Sequence, residues 1–217
     1  DYDICIFALQ TLLEANPYNE AGLKYLESLL SIEEAIIPAG KVLSNIYEIL
    51  YKWENLVDVL ILILNQNPEF KLETILKISN IYKDNLEKYE ESLKYALMYF
   101  ELNPSDENIV SNIENLCDIT GKFISFIESV DKLIQKDIEN DVKFNILKHK
   151  YRIAESYIEN KQTVVDALSE LSKIEPQNIE WYEKSAFYLK ELKQFENLIV
   201  VLEKQAEIIQ DTQEIIN

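Results

Sequence analysis

A helical motif that recurs about every 35 residues is the feature that most constrains the fold of this chain. In the clearest copy, KYEESLKYALMYFELNP (residues 88–104), the apolar side chains follow the three- and four-residue spacing of an amphipathic helix. An Asn-Pro pair closes this helix. The leading aromatic residue recurs at steps of 36, 34 and 72 residues, at Trp53, Tyr89, Phe123 and Phe195.

The last of these steps is twice the first, which predicts one further, degenerate copy near residue 160. The segment KQTVVDALSELSKIEP (residues 161–176) occupies that place, although it lacks the aromatic residue. A second amphipathic stretch precedes each copy, so each repeat is predicted to be two antiparallel helices joined by a short turn. Because one such pair does not bury its apolar face alone, the pairs must stack on each other.

The repeat resembles the tetratricopeptide repeat in both of its helices. The second helix carries an aromatic, a small residue and a closing proline at the offsets of that family, at Tyr89, Ser92 and Pro104. The first helix carries a small residue three before a tyrosine, in Ser44/Tyr47, Ser79/Tyr82 and Ala154/Tyr157, whereas Glu114/Cys117 departs from the pattern. The resemblance is to degenerate arrays of the bacterial type. It implies an all-α, right-handed solenoid of about 12 helices.

We predict partial, irregular helical repeats in residues 1–37 and five helix pairs in residues 38–217, as one continuous solenoid. Three helical pieces are expected in residues 17–37, where Ser31 and Glu34 form a capping-box pattern. Pro38 is expected to bend or restart the chain, and Gly40 to weaken the helix. Both ends look cut from a longer array, without the polar capping helix that solenoids need for solubility.

The charge balance limits the classes of partner that the chain is expected to bind. The chain has 39 acidic and 21 basic residues, for a net charge of -18. Such a field repels phosphate backbones and anionic lipids, so neither nucleic acid nor a membrane is an expected partner. No apolar run is long enough to span a membrane and no signal peptide is visible, which favours a cytoplasmic location.

Catalytic and metal-binding patterns are missing from the sequence. The single histidine, His149, stands apart from cysteines and acidic clusters at ligand spacing, and there is no Gly-rich phosphate loop. Cys5 and Cys117 do not form a disulfide framework, and Cys117 is expected to be an inert core thiol. We therefore expect no enzymatic activity, no metal and no cofactor.

A candidate binding site follows from the family resemblance. In tetratricopeptide arrays the first helix of each pair lines the concave face, and one ligand-contacting position lies directly after the small residue. That position holds Asn45, Asn80 and Asn115, which are spaced by 35 residues each time. An asparagine amide both donates and accepts, so a row of them suits the backbone of an extended peptide. This row resembles the asparagine ladder of superhelical members of the family.

Two other interpretations of these residues remain open. Lys41, Asn45 and Asn80 also resemble the start of a carboxylate clamp, which captures the acidic tail of a chaperone. Ser111 and Asn115 stand where that clamp has two cations, so a neutral or basic segment is a better ligand than an acidic one. The chain also has 18 asparagines, so three aligned copies fit a coincidence on a solvated surface.

Two functional hypotheses result from the sequence. The first is a scaffold that binds another protein, as an extended peptide or a partner helix, in a concave groove. The alternative is a structural subunit that self-associates, or packs on the rest of a larger parent protein, through its open solenoid ends. Self-association that depends on concentration distinguishes the two.

Overall fold

The computed structural model describes residues 2–66 and 71–216, with side-chain environments up to residue 210. Over these residues the chain is all-α, with twelve helices and no strand, in agreement with the predicted fold class and helix number. The helices are α1 (Tyr2–Ala15), α2 (Glu20–Leu29), α3 (Glu33–Ile49), α4 (Trp53–Gln66), α5 (Lys71–Asp84), α6 (Tyr89–Leu102), α7 (Glu107–Thr120), α8 (Phe123–Ile134), α9 (Asn140–Tyr157), α10 (Lys161–Ile174), α11 (Ile179–Glu191) and α12 (Phe195–Ile216).

The predicted repeat boundaries agree with these helices. Helices α4, α6, α8 and α12 each begin at the aromatic residue that marks the repeat, and α10 begins at Lys161 in the degenerate copy. The buried positions of α6 are those of its apolar stripe, including Leu93, Ala96 and Phe100. Hydrophobic periodicity therefore located the second helix of every repeat.

The chain divides into two compact units, residues 1–120 (unit 1) and residues 121–217 (unit 2). In unit 1, α1 and α2 pack on α3, and the helices from α3 to α7 pack on one another in chain order. In unit 2, the helices from α8 to α12 do the same. Short connections between packed neighbours make consecutive helices antiparallel, so each unit is a stack of helix pairs. One continuous, right-handed solenoid over both units stays a prediction.

A left-handed residue closes the turn before several second helices. Tyr51, Glu87 and Lys193 have φ values of 55, 53 and 58°, and each lies two residues before such a helix. The N–H of Lys52 then donates to the Tyr47 carbonyl at 2.8 Å, which satisfies one of the carbonyls left open at the end of α3. The chain thus reverses direction at these turns without glycine.

Close approach of paired helices depends on small residues, as the repeat pattern predicts. Between α5 and α6, the Ser79 hydroxyl donates to the Ser92 carbonyl at 3.0 Å and the Ser92 hydroxyl to the Ser79 carbonyl at 2.9 Å. Between α3 and α4, a Cβ on Gly40 would lie 3.0 Å from Ile63, so glycine permits this contact. The buried Ser44 hydroxyl, at the position equivalent to Ser79, has no hydrogen-bond partner among the described residues.

The prediction that Pro38 restarts the chain is wrong, whereas a bend at Pro38 stays a prediction. Helix α3 runs from Glu33 to Ile49 with Pro38 inside it. The hydrogen bond that proline cannot make would join it to the Glu34 carbonyl, which lies in the exposed first turn where water is available. Burial of the apolar residues on both sides of Pro38 then stabilises the helix across it.

The predictions of a capping box at Ser31 and Glu34 and of three helical pieces in residues 17–37 are wrong as well. Only α2 and the start of α3 occupy residues 17–37. Ile32 is the N-cap of α3 and makes no side-chain capping bond. The Ser31 hydroxyl donates instead to the Ser28 carbonyl at 2.8 Å, because a residue one position too early does not reach the first turn of α3.

Candidate peptide-binding face

The three asparagines of the predicted row lie on three first helices of unit 1. Asn45 is on α3, Asn80 on α5 and Asn115 on α7, and all three are exposed. The residues before Asn45 and Asn80 point inwards, since Ser44 and Ser79 are buried. None of the three amides has a hydrogen-bond partner among the described residues. We call the exposed side of α3, α5 and α7 the first-helix face of unit 1.

Side chains link these three helices one turn away from each asparagine. The Lys77 ammonium on α5 lies 2.5 Å from the Glu48 carboxylate on α3. The Lys83 ammonium, also on α5, donates to the Asn112 amide oxygen on α7 at 3.0 Å. Such exposed contacts add little stability, but they show that long side chains of α5 reach α3 on one side and α7 on the other. The amides therefore lie on successive helices of one face.

Lys41, the fourth predicted site residue, lies one turn before Asn45 on α3. It is exposed like the three asparagines. Unlike them, it already interacts with another residue of the chain. The structure thus places all four predicted residues on the outside of first helices, and the role of each in binding stays a prediction.

A groove with a volume of about 400 Å³ opens on the same face, between α3, α5 and the start of α4. We call it the Trp53 groove. Leu76, Ile81 and the half-buried Trp53 are its apolar lining. Its polar lining is Glu48, Glu73, Lys77, Asn80, Asp84 and Asn85. One asparagine of the row, Asn80, thus lies in a part of this face that is both concave and partly apolar.

The Trp53 groove is negatively charged overall. Its lining has three carboxylates and one ammonium group, Lys77, which pairs with Glu48. Lys83 lies 3.6 Å from the Asp84 carboxylate at the edge of the groove. Opposite charge attracts and like charge is excluded at such a surface, so this lining supports the expectation of a neutral or basic ligand.

The equivalent helices of unit 2, α9 and α11, carry a different surface. Trp181 is 7% exposed, its ring centroid lies 6.2 Å from that of Tyr151, and its indole N–H donates to the Glu175 carboxylate at 2.9 Å. The Lys184 ammonium lies 4.8 Å from the Tyr151 ring centroid and 2.9 Å from the Glu180 carboxylate. The hydrogen bond to Glu180 raises the pKa of Lys184 above its ordinary range. This surface is closed by its own side chains.

In unit 2 the position that follows the small residue is already occupied by internal contacts. Glu155, directly after Ala154, accepts hydrogen bonds from the Tyr151 hydroxyl at 2.5 Å and the Tyr188 hydroxyl at 2.9 Å. Burial and the hydrogen bond to Glu155 raise the pKa of Tyr188 to about 12. Ser185 and Tyr188 are a further small-residue/tyrosine pair that the sequence analysis missed, although their three-residue spacing was visible.

Cys117, the remaining candidate from the sequence, has a structural role. Cys117 is fully buried, as predicted, and burial raises the pKa of its thiol to about 12, with the nearby Asp118 and Glu114 charges adding to this effect. The part of the chain that the structure describes has no group of three or more His, Cys, Asp or Glu side chains placed to hold a metal ion. Each described helix is too short or too polar to cross a membrane.

These observations define the class of protein: an all-α helical-repeat protein, with antiparallel helix pairs stacked in each unit. No family model matches the sequence, and no curated protein is similar to it.

Solved structures are similar to the chain at low identity. A crystal structure of MamA protein is 12% identical, with 79% of this chain and 90% of that chain covered and a TM-score of 0.39. A MamA fragment (41-end) from Desulfovibrio magneticus RS-1 is 10% identical, with coverages of 79% and 94% and a TM-score of 0.34. The TPR domain of P58(IPK) is 15% identical, with coverages of 95% and 60% and a TM-score of 0.40. Superpositions this loose assign no family and no function.

Proposed function

We propose that this chain is a non-catalytic scaffold for protein interactions, and that the first-helix face of unit 1 binds a partner segment in an extended conformation. One observation carries this proposal. Asn45, Asn80 and Asn115 occupy equivalent exposed positions on neighbouring helices, and their amides have no partner among the described residues. An extended peptide offers a backbone donor and acceptor at each residue, and each amide complements both.

The three amides lie on successive first helices of the unit. An extended peptide advances about 3.3 Å per residue, so a segment laid along this face passes the amides at intervals of several residues. Backbone recognition of this kind does not read side chains, so sequence preference comes from the groove beside the row. Lys41, next to Asn45, is a candidate contact to a ligand carbonyl.

A selection from a random peptide-display library, with the full chain as bait, tests this proposal. Recovered peptides should bind the variant Asn45→Ala/Asn80→Ala/Asn115→Ala at least about tenfold more weakly, because two or three hydrogen bonds of about 0.5–1.5 kcal/mol each are lost. The matched control is Asn55→Ala/Asn65→Ala, which removes two exposed amides from α4. Equal affinity for the triple variant and the wild type contradicts the proposal.

The second candidate function is a structural subunit that self-associates, or packs on other parts of a larger protein, through its end helices. Large exposed apolar side chains favour it, including Ile4 and Phe7 on α1, which are 70% and 71% exposed, and Phe195, Ile199 and Leu202 on α12. Because each copy carries a charge of -18, added salt should strengthen such association by screening repulsion.

Sedimentation at several protein concentrations tests this candidate. Mass that rises with concentration, and more so in salt, supports self-association. The variants Ile4→Lys/Phe7→Lys and Ile199→Lys/Leu202→Lys should then restore the monomer, because a charge cannot be buried in an apolar contact without a partner. A monomer at all concentrations contradicts self-association.

A further inference from the structure

We propose that the Trp53 groove binds one lysine or arginine side chain of the partner segment, together with a neighbouring apolar side chain of the same segment. This inference deepens the proposed function, since it assigns side-chain specificity to the face that is proposed to bind backbone. The basic head group would lie beside the Trp53 ring and the carboxylates, and its aliphatic stem on Leu76 and Ile81.

The placement of two carboxylates supports a cationic occupant. Glu48 is in the last turn of α3 and Asp84 is the last residue of α5, and both line the groove. A helix C-terminus has a partial negative charge, so a carboxylate there weakens the helix. The last turn of α3 contains no basic residue to offset this charge. Two helix ends and two carboxylates thus direct negative potential at one place.

The lysines already present only partly neutralise this potential. Lys77 pairs with Glu48, and Lys83 is shared between Asp84 at 3.6 Å and Asn112 at 3.0 Å. Glu73, on the α5 side of the groove, has no ion-pair partner among the described residues. The groove therefore keeps a net negative charge that favours a further cation, whereas an aspartate or glutamate of a ligand would be repelled.

The aromatic ring and the groove lining select a basic side chain over a small cation. Trp53 is half-buried and contacts Tyr51 edge-on at a centroid distance of 5.8 Å. Tryptophan is the best side chain for a cation–π contact, and Leu76 and Ile81 supply an apolar surface beside it. A lysine or arginine carries both an aliphatic stem and a charged head, which matches this combination.

Unit 2 contains an occupied version of the same arrangement. Its own Lys184 ammonium lies 4.8 Å from the Tyr151 ring centroid, 5.9 Å from the Trp181 ring centroid and 2.9 Å from the Glu180 carboxylate. Aromatic ring, carboxylate and lysine thus assemble within this chain when a lysine is at hand. In the Trp53 groove the lining lysine, Lys77, pairs with Glu48, and we infer that the partner supplies the cation beside the ring.

Nuclear magnetic resonance of the indole N–H groups tests this inference without a known partner. The probes are acetyl-Leu-Lys-amide, acetyl-Leu-norleucine-amide and acetyl-Leu-Glu-amide, titrated into the full chain. The Trp53 signal should shift with the lysine probe at an affinity at least about fivefold above that for norleucine, and this preference should fall as salt rises from about 50 to about 500 mM. The Trp181 signal should not move, because its indole is buried and bound to Glu175.

A charge-removing variant and a matched control complete the test. Glu73→Gln/Asp84→Asn should abolish the preference for lysine and keep the fold, since the small loss from removing a carboxylate in the first turn of α5 is offset by removing one from its last turn. Glu33→Gln removes an equally exposed carboxylate at the other end of α3 and should change nothing. Equal binding of the lysine and norleucine probes, binding of the glutamate probe, or no shift with any probe overturns the inference.

The outcome is separable from that of the proposed function. The lysine preference is measured on Trp53 with dipeptides, whereas backbone binding is measured with selected peptides on the asparagine variant. Selected peptides that need the asparagines but show no preference for a basic residue would leave the scaffold proposal standing and overturn this inference. The opposite result is a lysine preference at Trp53 together with selected peptides that bind the asparagine variant as tightly as the wild type. It would overturn the proposed binding to the asparagines and leave this inference standing.

Discussion

The first-helix faces of the two units use the same repeat position in opposite ways. In unit 1, Asn80 follows the buried Ser79 and projects its amide to solvent. In unit 2, Glu155 follows the buried Ala154 and accepts hydrogen bonds from Tyr151 and Tyr188. Hydrogen-bonding groups left unpaired on a surface are available to a ligand, whereas groups paired inside the chain contribute to its stability. At this repeat position the choice of side chain therefore decides whether hydrogen-bonding groups are left exposed or are paired within the chain.

The largest expected difference between the two faces concerns their tryptophans. Trp181→Ala should lower the free energy of unfolding by about 3–5 kcal/mol, because it removes a buried ring and leaves Glu175 without its indole donor. Trp53→Ala should cost about 1 kcal/mol or less, because this ring is half-buried in an open groove. Urea denaturation followed by circular dichroism measures both. Equal losses would break the comparison.

Unit 1 should gain its stability from the buried contacts between paired helices and not from the exposed first-helix face. Ser79→Ala should cost about 1 kcal/mol, because the Ser92 carbonyl loses the buried Ser79 hydroxyl as a donor, whereas the Ser92 hydroxyl keeps the Ser79 backbone carbonyl as its acceptor. Ser44→Ala is the matched control and should cost nothing or stabilise slightly, since the Ser44 hydroxyl is buried without a partner. The same denaturation experiment applies, and a larger loss from Ser44→Ala would contradict this account.

A smaller difference is expected at the ladder position itself. Glu155→Ala should lower the free energy of unfolding by about 1 kcal/mol, because two tyrosine hydroxyls lose their acceptor. Asn80→Ala should stay within about 0.5 kcal/mol of the wild type, as do most substitutions on an exposed surface. Thermal unfolding of the two variants side by side measures the difference. If Asn80→Ala were the more costly change, the amide would be part of the fold and not free for a ligand.

The smallest expected effect is a pH dependence in unit 2. The folded state raises the pKa of Tyr188 to about 12, against about 10 for an unperturbed tyrosine. Protonated Tyr188 therefore contributes stability that is complete below about pH 10 and is lost as the pH rises towards about 12. Over this range the Tm of the wild type should fall more steeply than that of Tyr188→Phe. Tyr18→Phe changes an exposed tyrosine and should follow the wild type.

Much of the fold could be predicted because the repeat marks its own helix starts. Trp53, Tyr89, Phe123 and Phe195 begin helices in the structure as they begin the sequence motif. The irregular region was harder, because the tolerance of α3 for Pro38 depends on burial of its neighbours and not on local propensity. The turns were also hidden, since Tyr51, Glu87 and Lys193 take a left-handed conformation that sequence rules assign to glycine.

The candidate site could be predicted only in part. The helical register placed Asn45, Asn80 and Asn115 on the solvent side, where the structure has them. The Trp53 groove could not be predicted, because it depends on how α3 and α5 pack beside the start of α4. Residue type does not distinguish Glu48 and Asp84 from the rest of the 39 acidic residues. Their position in the last turns of helices was the one available indication, since acidic residues are disfavoured there.

The most direct test of the central claim is hydrogen exchange of the full chain, measured by mass spectrometry with and without a saturating peptide from the display selection. Binding at the first-helix face of unit 1 predicts slower amide exchange in α3, α5 and α7, with no change in α9 and α11. Slower exchange confined to α9 and α11, or to the end helices α1 and α12, would contradict the claim and move the binding surface elsewhere on the chain.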